Sequence, residues 1–231
     1  MPSVRGVDLK RELANGPVEG LSPASARLRQ RAIGLIHAEK LLEASYSYNI
    51  VPLDRSADGP CLQAGGETLE AERLLPASGE LTALGCGVYT LGPRFEQRIS
   101  ELFRQRRAAL AVVLDEIGIE LLFAMGRRVQ DRMLSECYRK RLSMGAELHA
   151  GDPGLELDAQ AAVLRLAEGS KIGVGLHRGQ LITPLKSGSV VFAVGRNLPE
   201  VAWSRCETCP SFSKCNFGRR QRNAMPLSLS A

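Results

Sequence analysis

A chain of 231 residues with 44% hydrophobic content can bury one sizeable core, which argues for one domain or one domain with a small appendage. The net charge of +5 leaves acidic partners open, while an aromatic content of 5% offers few stacking platforms and disfavours a nucleic-acid-binding module. Six cysteines, three of them within ten residues, and no signal-peptide pattern lead to the expectation of a cytoplasmic protein with a metal site.

Residues 1–22 lack a sustained apolar period and carry Asn15, Gly16, Pro17 and Gly20, so a flexible arm is expected before a domain over 23–200. Ser22 and Pro23 read as a helix start, with Ile33, Ile36, Leu41 and Leu42 roughly on one face, and SYNIVPL (47–53) as extended chain. Residues 67–75 are expected to form one or two short strands, and 77–84 a short helix ending at Gly85. CGVYTLG (86–92) reads as a buried strand closed by Gly92 and Pro93. Pro93 then opens a helix carrying Phe95, Ile99, Leu102 and Phe103 inward, because these recur at three and four residues. Leu110, Leu114, Ile117, Leu121 and Met125 repeat that spacing in a second, longer helix. Asp115, Glu116 and Glu120 interrupt its apolar run, which makes it a core helix and not a membrane span. Arginine runs at 104–107, 127–132 and 139–141 read as solvated helix faces or as a surface for an acidic partner.

Further along, MGAELHAGDPG reads as a strand and a tight turn, followed by an amphipathic helix with Leu157, Ala161, Leu164 and Leu166. Strands at 172–176 and 188–194 are expected to flank a proline-broken turn, and Gly173, Gly175 and Gly179 leave the backbone open to close approach. Hairpin-like strands mixed with helical pairs, without regular alternation, predict an α+β fold.

YTLGPRFEQRI (89–99), VLDEIGIE (113–120), GDPG (151–154) before a helix, IGVGL (172–176) and PLKSGSVVF (184–192) follow one another in this order. From about residue 26 to 195 the chain thereby resembles the activation domain of cobalamin-dependent methionine synthase. The resemblance implies a mixed, mainly antiparallel twisted sheet with flanking helices. It implies a domain that binds S-adenosylmethionine and presents its methyl group to an inactivated corrinoid. Cobalamin would then be met only through a corrinoid-binding or methionine synthase-type partner. No residue of the chain is expected to be catalytic by itself.

Carried over position by position, the resemblance places cofactor-binding roles on Glu147, Gly151, Asp152, Gly175, His177 and Arg178. Where the family has an Arg and, four residues on, Gly-Tyr, this chain has Glu147, Gly151 and Asp152, so the charge expected to meet the ligand carboxylate is reversed. His177, Arg178 and Gly179 stand at a Thr-Glu-Ser triplet, and the family's long-helix glutamate falls near Phe123 or, after a three-residue shift, on Glu120. Pro184, Ser187 and Ser189 are retained. The reversals leave two pictures of Glu147 and Arg178: an ion pair across neighbouring strands that closes the ligand cleft, or two solvated side chains. They also leave two functions, support of cobalamin-dependent methyl transfer or corrinoid reactivation, and a non-catalytic scaffold that kept the fold and lost the ligand.

The expected basic tail, 201–231, holds Cys206, Cys209 and Cys215 in RCETCPSFSKC. CxxC spacing lets two thiolates converge on one ion, and an iron-sulfur cluster or zinc would take a fourth ligand from Cys137, Cys86, His177, a small molecule or a second chain. A redox-active CxxC pair and unliganded thiols are the alternatives. His37 and His149 have no ligand partners at useful spacing. No catalytic triad order, phosphate loop or dinucleotide fingerprint is present, so self-contained hydrolysis or phosphoryl transfer is not expected.

Overall fold

The structure is a computed structural model and describes residues 3–14 and 21–199, so the three tail cysteines and their expected metal site lie outside the described residues. Strand β5 (Glu80–Thr90) runs through the centre of the sheet, and its sequence explains what packs on each side. Leu84, Cys86 and Val88 point to one core, and Ala83 and Tyr89 to the other, as the period of two in a strand requires. Strand β5 pairs with β2 (Ser45–Pro52) and β9 (Ser187–Arg196); β1 (Ser3–Gly6) and β6 (Ser143–Leu148) form the edges, and all four pairings are antiparallel. Short hairpins β3 (Cys61–Ala64) with β4 (Glu67–Glu70), and β7 (Gly175–His177) with β8 (Leu181–Thr183), stand apart from this sheet. The fold is α+β, with an antiparallel sheet and flanking helices.

Helices α1 (Lys10–Ala14), α2 (Pro23–Ala38), α3 (Pro93–Arg104) and α4 (Ala108–Arg139) contribute to the core on one face. Helix α4 comes close because β5 carries glycine there: a Cβ on Gly87 would sit 2.6 Å from Val129 Cγ1, and one on Gly85 2.9 Å from Met133 Sδ. The other face is covered by the β3–β4 hairpin, α5 (Gln160–Leu166) and the segment around Val174 and Leu176. Helix α2 starts as its sequence demands, with the Ser25 N–H donating to Ser22 Oγ at 3.1 Å and Pro23 in the first turn.

Four expectations are corrected, the first being Phe103, expected inward on α3 but 49% exposed. Within the supposed arm, β1 pairs with β2, and Leu9 and Leu13 are each 2% exposed; two leucines on one turn are too short a period to stand out in a polar segment. Residues 80–84 belong to β5 and not to a helix. A strand covered on both faces shows near-continuous burial in place of alternation, and its apolar run then mimics a helix. Residues 172–174 are not strand: a 3-10 turn at Gly169–Ile172 and Gly173 at φ +71° hold the chain compact until β7 begins.

Candidate functional site

The GDPG turn closes on itself. Gly151 and Gly154 have φ of +91° and +89°, conformations open to glycine at no steric cost. The Gly151 N–H donates to the Leu155 carbonyl at 2.8 Å, and the Leu155 N–H to the Asp152 carbonyl at 2.9 Å. The Asp152 side chain accepts the His149 N–H on Oδ2 at 2.8 Å. Arg73 braces the loop from outside, donating from Nη1 to the Pro153 carbonyl at 3.1 Å while its stem lies where a Cβ on Gly154 would be, 2.8 Å away.

Glu147, on β6 just before this turn, accepts a hydrogen bond from His149 Nε2 at 2.7 Å, and both side chains are largely buried. A carboxylate only accepts here, so Nε2 carries the proton. Of the two pictures of Glu147 and Arg178, the ion pair between them is not formed, and Glu147 meets His149 and not solvent alone. Strand β6 belongs to the five-stranded sheet, whereas Arg178 follows β7 at the tip of the separate hairpin and is exposed. Arg178 and Gly179 both have positive φ, +51° and +81°, inside a three-residue connection, 178–180, between the paired His177 and Leu181. His177 is exposed beside them.

An open concavity of about 490 Å³ lies between α5 and β7, lined among others by Leu164, Arg165, Glu168, Lys171, Val174 and Gly175. Of the six residues assigned from sequence to cofactor binding, Gly175 alone lines it. Leu164 and Val174 are buried, while Arg165, Glu168 and Lys171 bring charge to the lining. Arg165 donates to both oxygens of Glu67 at 2.5 and 2.7 Å, a hydrogen-bonded pair that holds the Glu67 carboxyl below its ordinary range. Glu168 is ion-paired to Lys171. Glu168 is also left-handed at φ +55° just beyond α5, a backbone position that costs a non-glycine residue about 1 kcal/mol. The residues at the same place after α2, α3 and α4 are Lys40, Arg106 and Arg141, whose cations suit a helix C-terminus, whereas Glu168 also opens the 3-10 turn Gly169–Ile172, whose N-terminus suits a carboxylate.

The helical layer holds the other singled-out residues. Glu120 receives both terminal nitrogens of Arg29 at 3.0 and 2.5 Å, joining α4 to α2, while Phe123 is 49% exposed. Arg128 is tied to Glu12 of α1, whereas Arg127 and Arg132 are exposed. Ser187 Oγ donates to Thr90 Oγ1 at 2.8 Å, a link between β9 and β5. Burial pushes the Cys86 thiol up to about 12 and the Cys137 thiol up to about 11. These two cysteines belong to cores on opposite faces of the sheet, so neither reaches an ion outside without opening its core. Among the described residues no group of three or more His, Cys, Asp or Glu is arranged to hold a metal, and no helix is long and apolar enough to cross a membrane.

Sequence reasoning separated Glu147 from His149, which lies one residue beyond the end of β6. It also passed over Arg165, Glu168 and Lys171, which ordinary helix patterning makes look like solvent-facing charges.

No family model matches the chain, and no curated protein does. Among solved structures, the chain is similar to the MetH reactivation domain bound to AdoHcy, with a TM-score of 0.55 and 12% identity over 96% of this chain and 86% of that one. The likeness is one of fold.

Proposed function

We propose that this protein is an activation-domain-like partner in cobalamin-dependent methyl transfer or corrinoid reactivation, working beside a separate corrinoid-binding protein. The observation that carries this reading is the fold: 96% of the chain aligns with a reactivation domain solved with AdoHcy, and the order of sequence motifs agrees with it independently. The ligand class would be S-adenosylmethionine or its demethylated product, a methyl donor when bound. This chain would supply orientation and exclusion of water, not acid or base groups. Gly151 and the backbone of the turn at 149–155 would form one wall of the ligand cleft. In the tail, Cys206, Cys209 and Cys215 would hold zinc or an iron-sulfur cluster, the fourth ligand coming from outside the two buried cores.

A second reading is favoured by the Glu147–His149 pair and by the Asp152 carboxylate, whose oxygen already serves its own turn. Those contacts occupy the groups through which a ligand would be held, and they suit a scaffold that kept the fold. The two readings part on partner binding with turnover. Under the first, the protein should co-purify with a corrinoid-binding methionine synthase-type protein and raise recovery of its oxidised, inactive corrinoid when adenosylmethionine and a reductant are supplied. Binding without any recovery would leave the scaffold reading, and no binding would remove both. If cations steer the docking, Arg127→Glu with Arg132→Glu should weaken association at low salt. Arg128 is left unaltered because it anchors Glu12 and with it α1.

A further inference from the structure

The corner between α3 and α4 carries cations that the fold does not use. From Leu102 to Leu114 the chain has three arginines and no acid. The turn itself is fixed, the Arg106 N–H donating to the Phe103 carbonyl at 3.0 Å and the Arg107 N–H to the Leu102 carbonyl at 2.9 Å, while Leu102 and Leu110 anchor both helices in the core. Arg104 and Arg106 are exposed and Arg107 is half-buried beside them, and none of the three forms an ion pair among the described residues. The nearest acids along the chain are already engaged, Glu101 by Arg98 and Gln105, and Asp115 by Lys186. Apolar surface gathers at the same corner. Phe103 is 49% and Val112 47% exposed, and Ala108 and Ala109, one turn before Val112, are exposed with them.

We propose that this corner docks on an anionic lipid surface, with Arg104, Arg106 and Arg107 on headgroup phosphates and Phe103 and Val112 in the interfacial layer between them. Three unpaired guanidinium groups call for anionic oxygens. The apolar side chains decide for lipid over an acidic protein: a protein would have to match each arginine with a carboxylate at a set spacing, whereas a lipid surface offers phosphates at any spacing with an acyl layer beside them. The contact is peripheral, since no helix among the described residues is long and apolar enough to cross a membrane. No residue of the corner belongs to the turn at 149–155 or lines the concavity beside α5, so this surface is independent of the proposed ligand cleft.

The test is co-sedimentation of the full chain with vesicles. Mixed phosphatidylglycerol and phosphatidylcholine vesicles are expected to bind it, and phosphatidylcholine alone at least about tenfold more weakly. Arg104→Gln with Arg106→Asn should weaken binding roughly 25-fold, about fivefold for each charge. Phe103→Ser should weaken it about fivefold or more although no charge is lost. Arg55→Gln with Arg196→Gln removes the same charge away from the corner and should leave binding within about twofold. Circular dichroism of each variant separates lost binding from lost fold, and amide exchange of the unaltered chain, expected to show protection of 103–112 by the vesicles, reads the contact without any substitution. No binding to the mixed vesicles at about 0.1 M salt, an unchanged affinity in Phe103→Ser, or equal losses from the two arginine pairs overturns the proposal, the last by assigning the attraction to net charge, the cations of the tail included. Poly-L-glutamate protecting 103–112 where vesicles do not would make the partner an acidic protein and also overturns it. Corrinoid recovery enters none of these outcomes.

Discussion

The Glu147 carboxylate is satisfied by a neighbour two residues along its own chain, the His149 imidazole at 2.7 Å. It therefore faces no incoming ligand as a free charge, and its charge is taken up in local structure. A ligand carboxylate approaching here would meet like charge and would have to break a largely buried hydrogen bond. Calorimetry with adenosylmethionine on the isolated chain is expected to give a dissociation constant weaker than about 10 μM. A tighter value would mean that the pair opens on binding.

Close approach of α4 to the sheet depends on bare backbone at Gly87, where a Cβ would lie 2.6 Å from Val129 Cγ1. Gly87→Val should lower the unfolding free energy by about 1–3 kcal/mol in urea titrations, because the helix must move or strain. Gly175→Val, with open space around the new side chain, should stay within about 0.5 kcal/mol of wild type. Equal losses at the two positions would contradict this packing account.

Arg29 is 7% exposed and meets Glu120 with both terminal nitrogens. Arg29→Met should cost about 3 kcal/mol by leaving a shielded carboxylate without its cation. Arg127→Met, on the exposed face of the same layer, should change stability by less than about 0.5 kcal/mol. The same denaturant titration reads both.

Acid sensitivity should pass in part through Glu136. Burial raises its carboxyl, but hydrogen bonds from Lys140 and Tyr48 outweigh that and hold it below the ordinary glutamate range. A folded-state value below the unfolded one means stabilisation that is full above the unfolded value and is lost as pH falls through the folded value. The double variant Tyr48→Phe, Lys140→Met should therefore show a shallower loss of stability in that acid range. An unchanged acid profile would remove Glu136 from the account.

Cysteine reactivity should divide sharply. Cys86 and Cys137, raised to about 12 and about 11 by burial, should resist alkylation of the native protein near about pH 8, where the thiolate is the reacting form. Under the metal-site proposal, protein purified anaerobically should carry zinc, or iron with sulfide, and Cys209→Ser should lower that content sharply. Metal content retained in the triple variant of Cys206, Cys209 and Cys215 would place the metal elsewhere.

Sequence alone determined the α+β class, the helices that open at Pro23 and Pro93, the buried character of 86–92 and the self-contained turn at 151–154. Each of these rests on local chemistry: a fixed proline φ, a hydroxyl cap, glycines in left-handed backbone, apolar residues at helical spacing. Burial of Leu9 and Leu13, and the strand character of 80–84, could be decided only by the tertiary structure, because both depend on what covers a segment and not on the segment itself. The same holds for charge. An acidic side chain at Glu147 was legible, yet the choice of His149 over Arg178 required knowing that β6 and the β7–β8 hairpin belong to different sheets. Likewise Glu168 and Lys171 read as ordinary surface charges until the structure pairs them with each other in the lining of the concavity beside α5. Local propensity fixes the elements whose signals lie within the segment, while long-range pairing decides the rest and which side chains meet, and a binding site is made of the second kind of information.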